Sequence, residues 1–188
     1  MKVLAINGSS RKGGNTADML NLVLTELKNA RHETELLQLA DNTINPCKAC
    51  FACGGKRNCV FDNDIFQEVY TKMTEADAII LGSPTYSADV SSNLKAVIDR
   101  ASVVSDMNPG MFRHKVGGAV AVARRAGAMN ALDTLNRFFL NKEMYIVGST
   151  YWNIAYGRLP GEALNDEEGV ATMKNLGKNI GWLLERMG

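Results

Sequence analysis

Residues 2–16 read KVLAINGSSRKGGNT, and this stretch decides the fold of the chain. Lys2–Asn7 is a near-continuous apolar run, as in a strand that is buried on both faces of a parallel sheet. Gly8–Thr16 is polar and rich in glycine, and Ala17–Asn29 carries apolar residues at helical spacing. The stretch therefore predicts a strand, a loop and a helix, with the loop at the helix N-terminus.

The rest of the chain repeats this alternation four times. Further strands are predicted at Glu33–Leu39, Ala76–Gly82, Val116–Ala123 and Met144–Ser149. Further helices are predicted at Asn63–Glu75, Val90–Val104, Met129–Asn141 and Asp166–Met187. The pattern predicts the α/β class, with a three-layer doubly wound fold and a five-stranded parallel sheet. We expect one flavodoxin-like domain over residues 1–188, with strand order 2-1-3-4-5.

Composition and charge indicate which classes of binding partner the protein is expected to lack. The chain has 188 residues, of which 46% are hydrophobic and 22% charged, as in ordinary soluble domains. Its net charge of +1 gives no overall field that would attract nucleic acid or an anionic membrane. The N-terminus lacks the pattern of a signal peptide, and no apolar run reaches the roughly 18 residues of a membrane span. We expect a cytoplasmic protein that binds neither nucleic acid nor membrane.

All four cysteines lie in one run with the spacing C-x2-C-x2-C-x5-C: Cys47, Cys50, Cys53 and Cys59. Compact C-x2-C steps let a tight loop surround an iron–sulfur cluster, and a more distant cysteine closes the cage. Disulfides are disfavoured where thiols stay reduced, whereas zinc or an empty reactive loop remains an alternative. The spacing favours a [4Fe–4S] cluster held by a cysteine-rich loop over residues 41–62.

Polar loops follow three other predicted strands, at the sheet edge where ligands of such folds bind. The loop after strand 1 offers side-chain donors and one cationic group at a helix N-terminus, which suits a terminal phosphate. An ordinary polar turn is the alternative for this loop. Tyr86 after strand 3 can hold a flat ring or be an ordinary half-buried aromatic residue of a loop, and Arg124-Arg125-Ala126-Gly127 follows strand 4. Because the cysteine loop follows strand 2, we expect all four loops to converge on one rim.

These motifs resemble the NAD(P)H-dependent FMN reductase superfamily. The matching segments are Gly8-Ser9-Ser10-Arg11, Gly14-Asn15-Thr16, Gly82-Ser83-Pro84-Thr85-Tyr86, Leu94-Lys95 and Ile98-Asp99-Arg100, and the resemblance extends to Tyr151-Trp152 and Gly157-Arg158. The cysteine run narrows the resemblance to the iron–sulfur flavoprotein family. The resemblance implies one FMN and one [4Fe–4S] cluster in each subunit, in a homodimer or a homotetramer.

The resemblance also implies the roles of particular residues. The FMN phosphate would contact Ser9, Arg11, Asn15 and Thr16. The ribityl chain and the ring would contact Pro84, Thr85, Tyr86, Ser87 and Ala88, and the ring edge Arg124, Ala126 and Gly127. The cluster ligands would be the four cysteines. Electrons would pass between a ferredoxin-like donor and an acceptor such as a quinone, dioxygen, peroxide or a protein.

The acid–base inventory of the sequence is small. His32 and His114 precede strands 2 and 4, so both are expected at the sheet edge opposite the predicted cleft. Asp99-Arg100 is interpreted as a structural ion pair or a subunit contact, and no catalytic side chain is assigned. Two alternatives remain: an NAD(P)H-dependent FMN or quinone reductase whose cysteine loop holds zinc or nothing, and a non-enzymatic flavodoxin-like regulator.

Overall fold

A parallel sheet forms the centre of the computed structural model, which describes residues 1–188. Its strands are β1 (Lys2–Asn7), β2 (Glu33–Gln38), β3 (Ala78–Pro84), β4 (Val116–Ala123), β5 (Tyr145–Ile146) and β6 (Ile154–Tyr156). The strand order is β2-β1-β3-β4-β5, with β6 also paired to β4, and every pairing is parallel. The predicted order and the doubly wound architecture are therefore confirmed.

Five α-helices cover the two faces of the sheet. They are α1 (Asn15–Asn29), α2 (Phe66–Glu75), α3 (Ser92–Asp106), α4 (Ala128–Asn141) and α5 (Glu167–Met187), with a 3-10 turn at Glu162–Asn165. The apolar sides of α1 and α5 pack on one face of the sheet, and those of α2, α3 and α4 pack on the other. None of the helices combines the length and the hydropathy that a bilayer crossing requires.

The fifth strand position differs from the predicted strand at Met144–Ser149. Only Tyr145 and Ile146 pair with the start of β4, and the separate strand β6 pairs with its end. The intervening segment bonds to α5 instead, because Ser149 Oγ donates to Thr172 O at 2.7 Å and Asn179 Nδ2 donates to Gly148 O at 2.9 Å. Polar contacts with α5 thus replace part of the strand ladder.

Candidate functional site

A cleft of about 240 Å³ opens at the carboxyl ends of β1, β3 and β4. The segment after β6 closes one side of this cleft. Eight of the twelve predicted cofactor residues line it: Ser9, Arg11, Asn15, Thr16, Pro84, Thr85, Tyr86 and Arg124. The structure therefore brings the loops after strands 1, 3 and 4 to one place, as their positions in the sequence predicted.

The N-terminus of α1 forms one end of the cleft. Gly14 precedes the helix and provides no capping side chain, and the N–H groups of residues 14–17 have no acceptor within the protein. Ser9 shapes the loop, because its N–H donates to Asn7 Oδ1 at 3.0 Å and its Oγ accepts from Arg11 N at 3.1 Å. An uncapped helix N-terminus with free N–H groups suits an anionic group such as a phosphate.

Asn15 joins this helix end to the segment after β6. Its Nδ2 donates to Leu159 O at 2.9 Å, and its Oδ1 accepts from Ala163 N at 3.2 Å. Gly157 is required where these parts meet, since a Cβ there would lie 2.5 Å from Ala163 N and 2.7 Å from Asn15 Nδ2. The Asn15 side chain is thus already bonded to the protein, and its backbone N–H is the group left unpaired.

The loop after β3 forms the other end of the cleft. Thr85 N donates to Val122 O at 2.7 Å, whereas Thr85 Oγ1 is buried without any partner. Tyr86 and Asp89 exchange backbone hydrogen bonds of 2.8 and 2.9 Å across a tight turn. A buried hydroxyl without a partner at the wall of a cleft is free to bond a ligand, so this end of the cleft fits a polar group of a bound cofactor.

The remaining four predicted cofactor residues do not line the cleft. Ser87 and Ala88 form the tight turn with φ values of 48° and 62°, in the left-handed region that side chains rarely adopt. Gly127 precedes α4 with a φ of 83°, and a Cβ on it would lie 3.0 Å from Ala88 Cα. Ser87, Ala88, Ala126 and Gly127 therefore belong to the rim beside the cleft rather than to its wall.

Three arginines surround the cleft: Arg11, Arg124 and Arg158. All three are exposed, and none belongs to any of the ion pairs of the chain. The cleft is therefore suited to an anionic ligand. Sequence reasoning assigned no site role to Gly157 and Arg158, although the pair belongs to a segment that resembles the family.

The four cysteines line a second, mostly apolar cavity. Cys53 is buried, Cys47 and Cys59 are half-buried, Cys50 is exposed, and all four are free thiols. Burial raises the pKa of the Cys53 thiol, and the other three cysteines are close enough to add to the increase. The Ala49 N–H donates to Cys47 Sγ at 3.4 Å. In the present arrangement of side chains, no group of three His, Cys, Asp or Glu residues is placed to bind one metal ion.

The cysteine cavity does not share the rim of the cleft, which corrects the expected convergence of four loops. The loop begins at the rim, where Asn93 Nδ2 donates to Asn42 O at 3.2 Å. The loop then follows α3 toward the amino ends of the strands, where Asn108 Nδ2 donates to Cys53 O at 3.0 Å. With a rise of ~1.5 Å per residue, these two contacts are about 20 Å apart along α3. These long-range polar contacts hold the cysteine cavity against α3, away from the cleft.

An ion pair that sequence reasoning missed anchors this loop. Arg100 on α3 contacts Asp64 at 2.5 Å, with side chains 3% and 0% exposed. Arg100 also donates to the carbonyls of Asn45 and Phe61, which are the two ends of the cysteine segment. The suggested pairing of Asp99 with Arg100 is wrong, because Asp99 pairs with Lys95, and the alternative of a subunit contact stays a prediction. Arg100 and Asp64 are 36 positions apart, so no local pattern indicates their contact.

Both histidines lie away from the cleft. His32 immediately precedes β2, and His114 lies just before β4, so each is at the amino edge of the sheet. The His114 ring stacks on Tyr145 with centroids 5.7 Å apart. Neither imidazole lines the cleft or the cysteine cavity. The cleft therefore offers hydrogen-bond donors and positive charge rather than a histidine acid or base.

Comparison with known proteins identifies the family. The family described as NADPH-dependent FMN reductase matches residues 1–158. An iron-sulfur flavoprotein of Methanocaldococcus jannaschii is 39% identical over 188 residues, which cover 96% of this chain and 95% of that protein. An iron-sulfur flavoprotein of Methanosarcina thermophila is 31% identical over 188 residues, which cover 98% and 96%.

A solved structure has the same fold. The flavodoxin, WrbA-like protein from Agrobacterium tumefaciens superposes with a TM-score of 0.66 at 18% identity, over 100% of this chain and 98% of that chain. The two sequence relatives are similar over almost their whole length, including the cysteine-bearing half of this chain. The chain therefore belongs to the iron–sulfur flavoproteins within the NADPH-dependent FMN reductase family, and it is a flavin-dependent oxidoreductase.

Proposed function

We propose that this chain binds FMN in the cleft and a [4Fe–4S] cluster at its four cysteines, and that it transfers electrons between a ferredoxin-like donor and a small or protein acceptor. The chemistry that these groups supply when bound is the exchange of electron pairs and of single electrons. The observation that carries the proposal is the presence of two separate cavities in one chain. One has an uncapped helix end and free arginines, and the other is lined by every cysteine of the protein.

The residues of the cleft divide into two binding regions. Ser9, Arg11, the free N–H groups of Asn15 and Thr16 and the helix end would hold the phosphate. Pro84 and Thr85 would contact the ribityl chain, and Tyr86, with Ser87 and Ala88 at the rim, would contact the ring. Arg124, Ala126 and Gly127 would approach the ring edge from the loop after β4. The protein orients the flavin and neutralises its charge, and no side chain is assigned a proton transfer.

The spacing of the four cysteines supports a multi-iron cluster rather than zinc. Four thiolates bound to one zinc ion at ~2.3 Å must lie about 4 Å from each other. In a [4Fe–4S] cluster each cysteine binds a different iron, so the sulfur atoms lie farther apart. Here all four cysteines surround one cavity, and three of them follow one another at C-x2-C steps, a spacing more typical of clusters than of zinc sites. The N–H donated to Cys47 Sγ is also the kind of bond that stabilises a thiolate ligand.

The acceptor and the assembly follow from the resemblance to the family. A quinone, dioxygen, peroxide or a protein is proposed as the acceptor, in a cytoplasmic homodimer or homotetramer. Tyr151, Trp152 and Tyr156 are each about half exposed, and such aromatic residues are typical of subunit contacts or of a site for a flat acceptor.

Anaerobic purification tests the proposal, with iron, acid-labile sulfide and flavin counted per chain and a visible spectrum recorded. We expect about four irons, four sulfides and one FMN. FMN with zinc or without metal, together with rapid flavin bleaching by NADPH alone, would instead identify the simple NAD(P)H-dependent reductase. Because the two cavities are separate, Cys53→Ala should abolish iron binding and leave FMN bound. Equal loss of both groups would contradict independent sites.

A further inference from the structure

Tyr70 carries a hydroxyl group that the protein leaves without a hydrogen bond. The residue lies on α2 and is fully buried, and its Oη has no partner in the chain. Its ring stacks on Phe66 with centroids 5.6 Å apart and meets Phe112 edge-on at 5.6 Å. Phenylalanine would fill such an apolar layer equally well, because burial takes the hydroxyl out of water without replacing its hydrogen bond. Packing alone therefore does not account for the hydroxyl.

The aromatic layer that contains Tyr70 lies behind the cysteine cavity. Arg100 lines that cavity, and its guanidinium carbon is 4.0 Å from the centre of the Phe66 ring, which in turn stacks on Tyr70. Tyr70 and Cys53 belong to the same contiguous set of buried apolar side chains. Val104 belongs to this set as well and also lines the cavity. Tyr70 is thus one of the packed side chains behind the cavity wall.

Cys53 is the cysteine whose thiol lies within electrostatic range of the Tyr70 hydroxyl. Burial raises the pKa of Tyr70, and the charge of Cys53 adds to that increase. Cys53 is also the one buried cysteine, and Asn108 Nδ2 donates to its carbonyl oxygen at 3.0 Å. The phenol therefore remains a hydrogen-bond donor, and a thiolate sulfur nearby is an acceptor for it.

We propose that the Tyr70 hydroxyl donates a hydrogen bond to the Cys53 sulfur when that sulfur is a cluster ligand, and that this bond raises the reduction potential of the site. The inference rests on the proposed function. A donor to a ligand sulfur stabilises negative charge on it. Because the reduced site carries one more negative charge than the oxidised site, the bond is stronger after reduction. Tyr70 itself binds no iron and transfers no proton.

The buried position of Cys53 makes its sulfur the more sensitive place for such a bond. The Ala49 N–H donates to Cys47 Sγ at 3.4 Å, but Cys47 is half-buried and Ala49 is exposed, so water also reaches that part of the loop. Around Cys53 the neighbours are apolar and buried. A hydrogen bond in such surroundings acts at low dielectric and therefore changes the electron affinity of the site more.

A redox titration of the anaerobically purified holoprotein tests the bond, with the reduced site followed by electron paramagnetic resonance. Tyr70→Phe removes the donor and keeps the ring. We expect the equilibrium constant for one-electron reduction to fall about fivefold to tenfold, which corresponds to a midpoint potential about 40–60 mV more negative. A monofluorinated tyrosine, introduced at this position alone, is a stronger donor and should move the midpoint in the opposite direction.

The matched control is Tyr145→Phe, which removes an exposed hydroxyl from β5, outside both the cysteine cavity and the cleft. It should leave the midpoint unchanged. Resonance Raman spectra give a second measurement, because loss of the bond should shift the iron–sulfur stretching bands of the cysteine ligands at constant iron content. Equal midpoints in Tyr70→Phe and the natural protein, or shifts in the same direction with phenylalanine and fluorotyrosine, would overturn the proposal.

Metal analysis of the same preparations separates this inference from the proposed function. About four irons per chain, with a midpoint that Tyr70→Phe leaves unchanged, would retain the cluster and remove the hydrogen bond. Protein that binds zinc instead of iron, and binds it about fivefold more weakly in Tyr70→Phe, would remove the cluster and retain the bond between Tyr70 and Cys53.

Discussion

Arg100 and Asp64 form a buried ion pair at 2.5 Å, and this pair joins α3 to the segment that carries the cysteines. Arg100 also lies over the Phe66 ring, with its guanidinium carbon 4.0 Å from the ring centre. Asp64 Oδ2 accepts from Asn45 N at 2.7 Å, so one carboxylate binds both α3 and the residue before Pro46. The position of the cysteine loop therefore depends on two charged side chains that are not themselves ligands.

Replacing Arg100 by Met should destabilise the protein by about 3–5 kcal/mol, because it leaves the Asp64 carboxylate buried without its partner. Urea unfolding of the apoprotein measures the change. The control is Lys95→Met, which breaks the exposed pair of Lys95 with Asp99 and should cost less than about 1 kcal/mol. Similar losses in the two variants would show that Arg100 does not hold the loop.

Asp64 should also make stability depend on acidity. Burial raises the pKa of Asp64, but hydrogen bonds from the Asn45 and Phe66 N–H groups and from Arg100 outweigh it and leave the pKa below its ordinary value. A carboxyl group whose pKa is lower in the folded state stabilises the protein above its unfolded pKa of ~3.9. That contribution is lost as pH falls through the folded pKa.

The free energy of unfolding should therefore decrease from pH 5 toward pH 3, and it should decrease less steeply in Asp64→Asn. Urea titrations at several pH values measure the two slopes. Asp64→Asn is expected to be less stable than the natural protein at neutral pH, so the slope, not the absolute stability, is the test. Equal slopes would mean that Asp64 has the same pKa in both states.

Much of the fold and of the cleft followed from local sequence patterns. The strands β1, β3 and β4 are buried on both faces and therefore appear as apolar runs, and the cleft loops follow directly from their ends. The ends of the other predicted elements differ by at most three residues, apart from the fifth strand. The spacing of apolar residues along the chain depends on which side chains pack against the neighbouring layer of the fold. It therefore predicts these strands and helices well.

The path of the cysteine loop could not be predicted in this way. It depends on contacts of Asn93 and Asn108 with backbone atoms 51 and 55 positions away, and on the pair of Arg100 with Asp64. The break in the fifth strand likewise depends on side chains of α5. These contacts are made by polar residues without any periodic pattern, so only the three-dimensional structure reveals them.

Tyr70→Phe should stabilise the apoprotein by about 1 kcal/mol. Tyr70 is fully buried between Phe66 and Phe112, its hydroxyl has no hydrogen-bond partner, and burial raises the pKa of the phenol. Removing a buried hydroxyl without a partner removes its desolvation cost of roughly 1–3 kcal/mol. Tyr86→Phe is the control, because its exposed hydroxyl is hydrated and its removal should change stability by less than ~0.5 kcal/mol. A loss of stability in Tyr70→Phe would reveal a partner for this hydroxyl.

Thr85→Val should weaken FMN binding about fivefold to tenfold. Thr85 Oγ1 is buried at the wall of the cleft without a partner, and a hydrogen bond to the flavin would contribute about 1 kcal/mol. Quenching of FMN fluorescence by the apoprotein measures the affinity. Thr85→Ser keeps the hydroxyl and should bind FMN within about twofold of the natural protein. Equal affinity in the valine variant would show that this hydroxyl does not contact the flavin.

Gly157→Ala should impair both stability and flavin binding. A Cβ at this position would lie 2.5 Å from Ala163 N and 2.7 Å from Asn15 Nδ2, so the segment after β6 must move away from α1. Overpacking of this kind costs about 1–3 kcal/mol, and Asn15 and Gly157 both line the cleft. Because the displaced groups also position the helix N-terminus, we expect the affinity for FMN to fall at least tenfold.

Urea unfolding and FMN titration of the same preparation measure the two effects. Gly148→Ala is the matched control, since a Cβ there would have no neighbour within 4 Å and its loop lies outside the cleft. That variant should unfold and bind FMN like the natural protein. A Gly157→Ala protein that lost stability but kept its affinity would show that the contact between Asn15 and the segment after β6 supports the fold without shaping the phosphate end of the cleft.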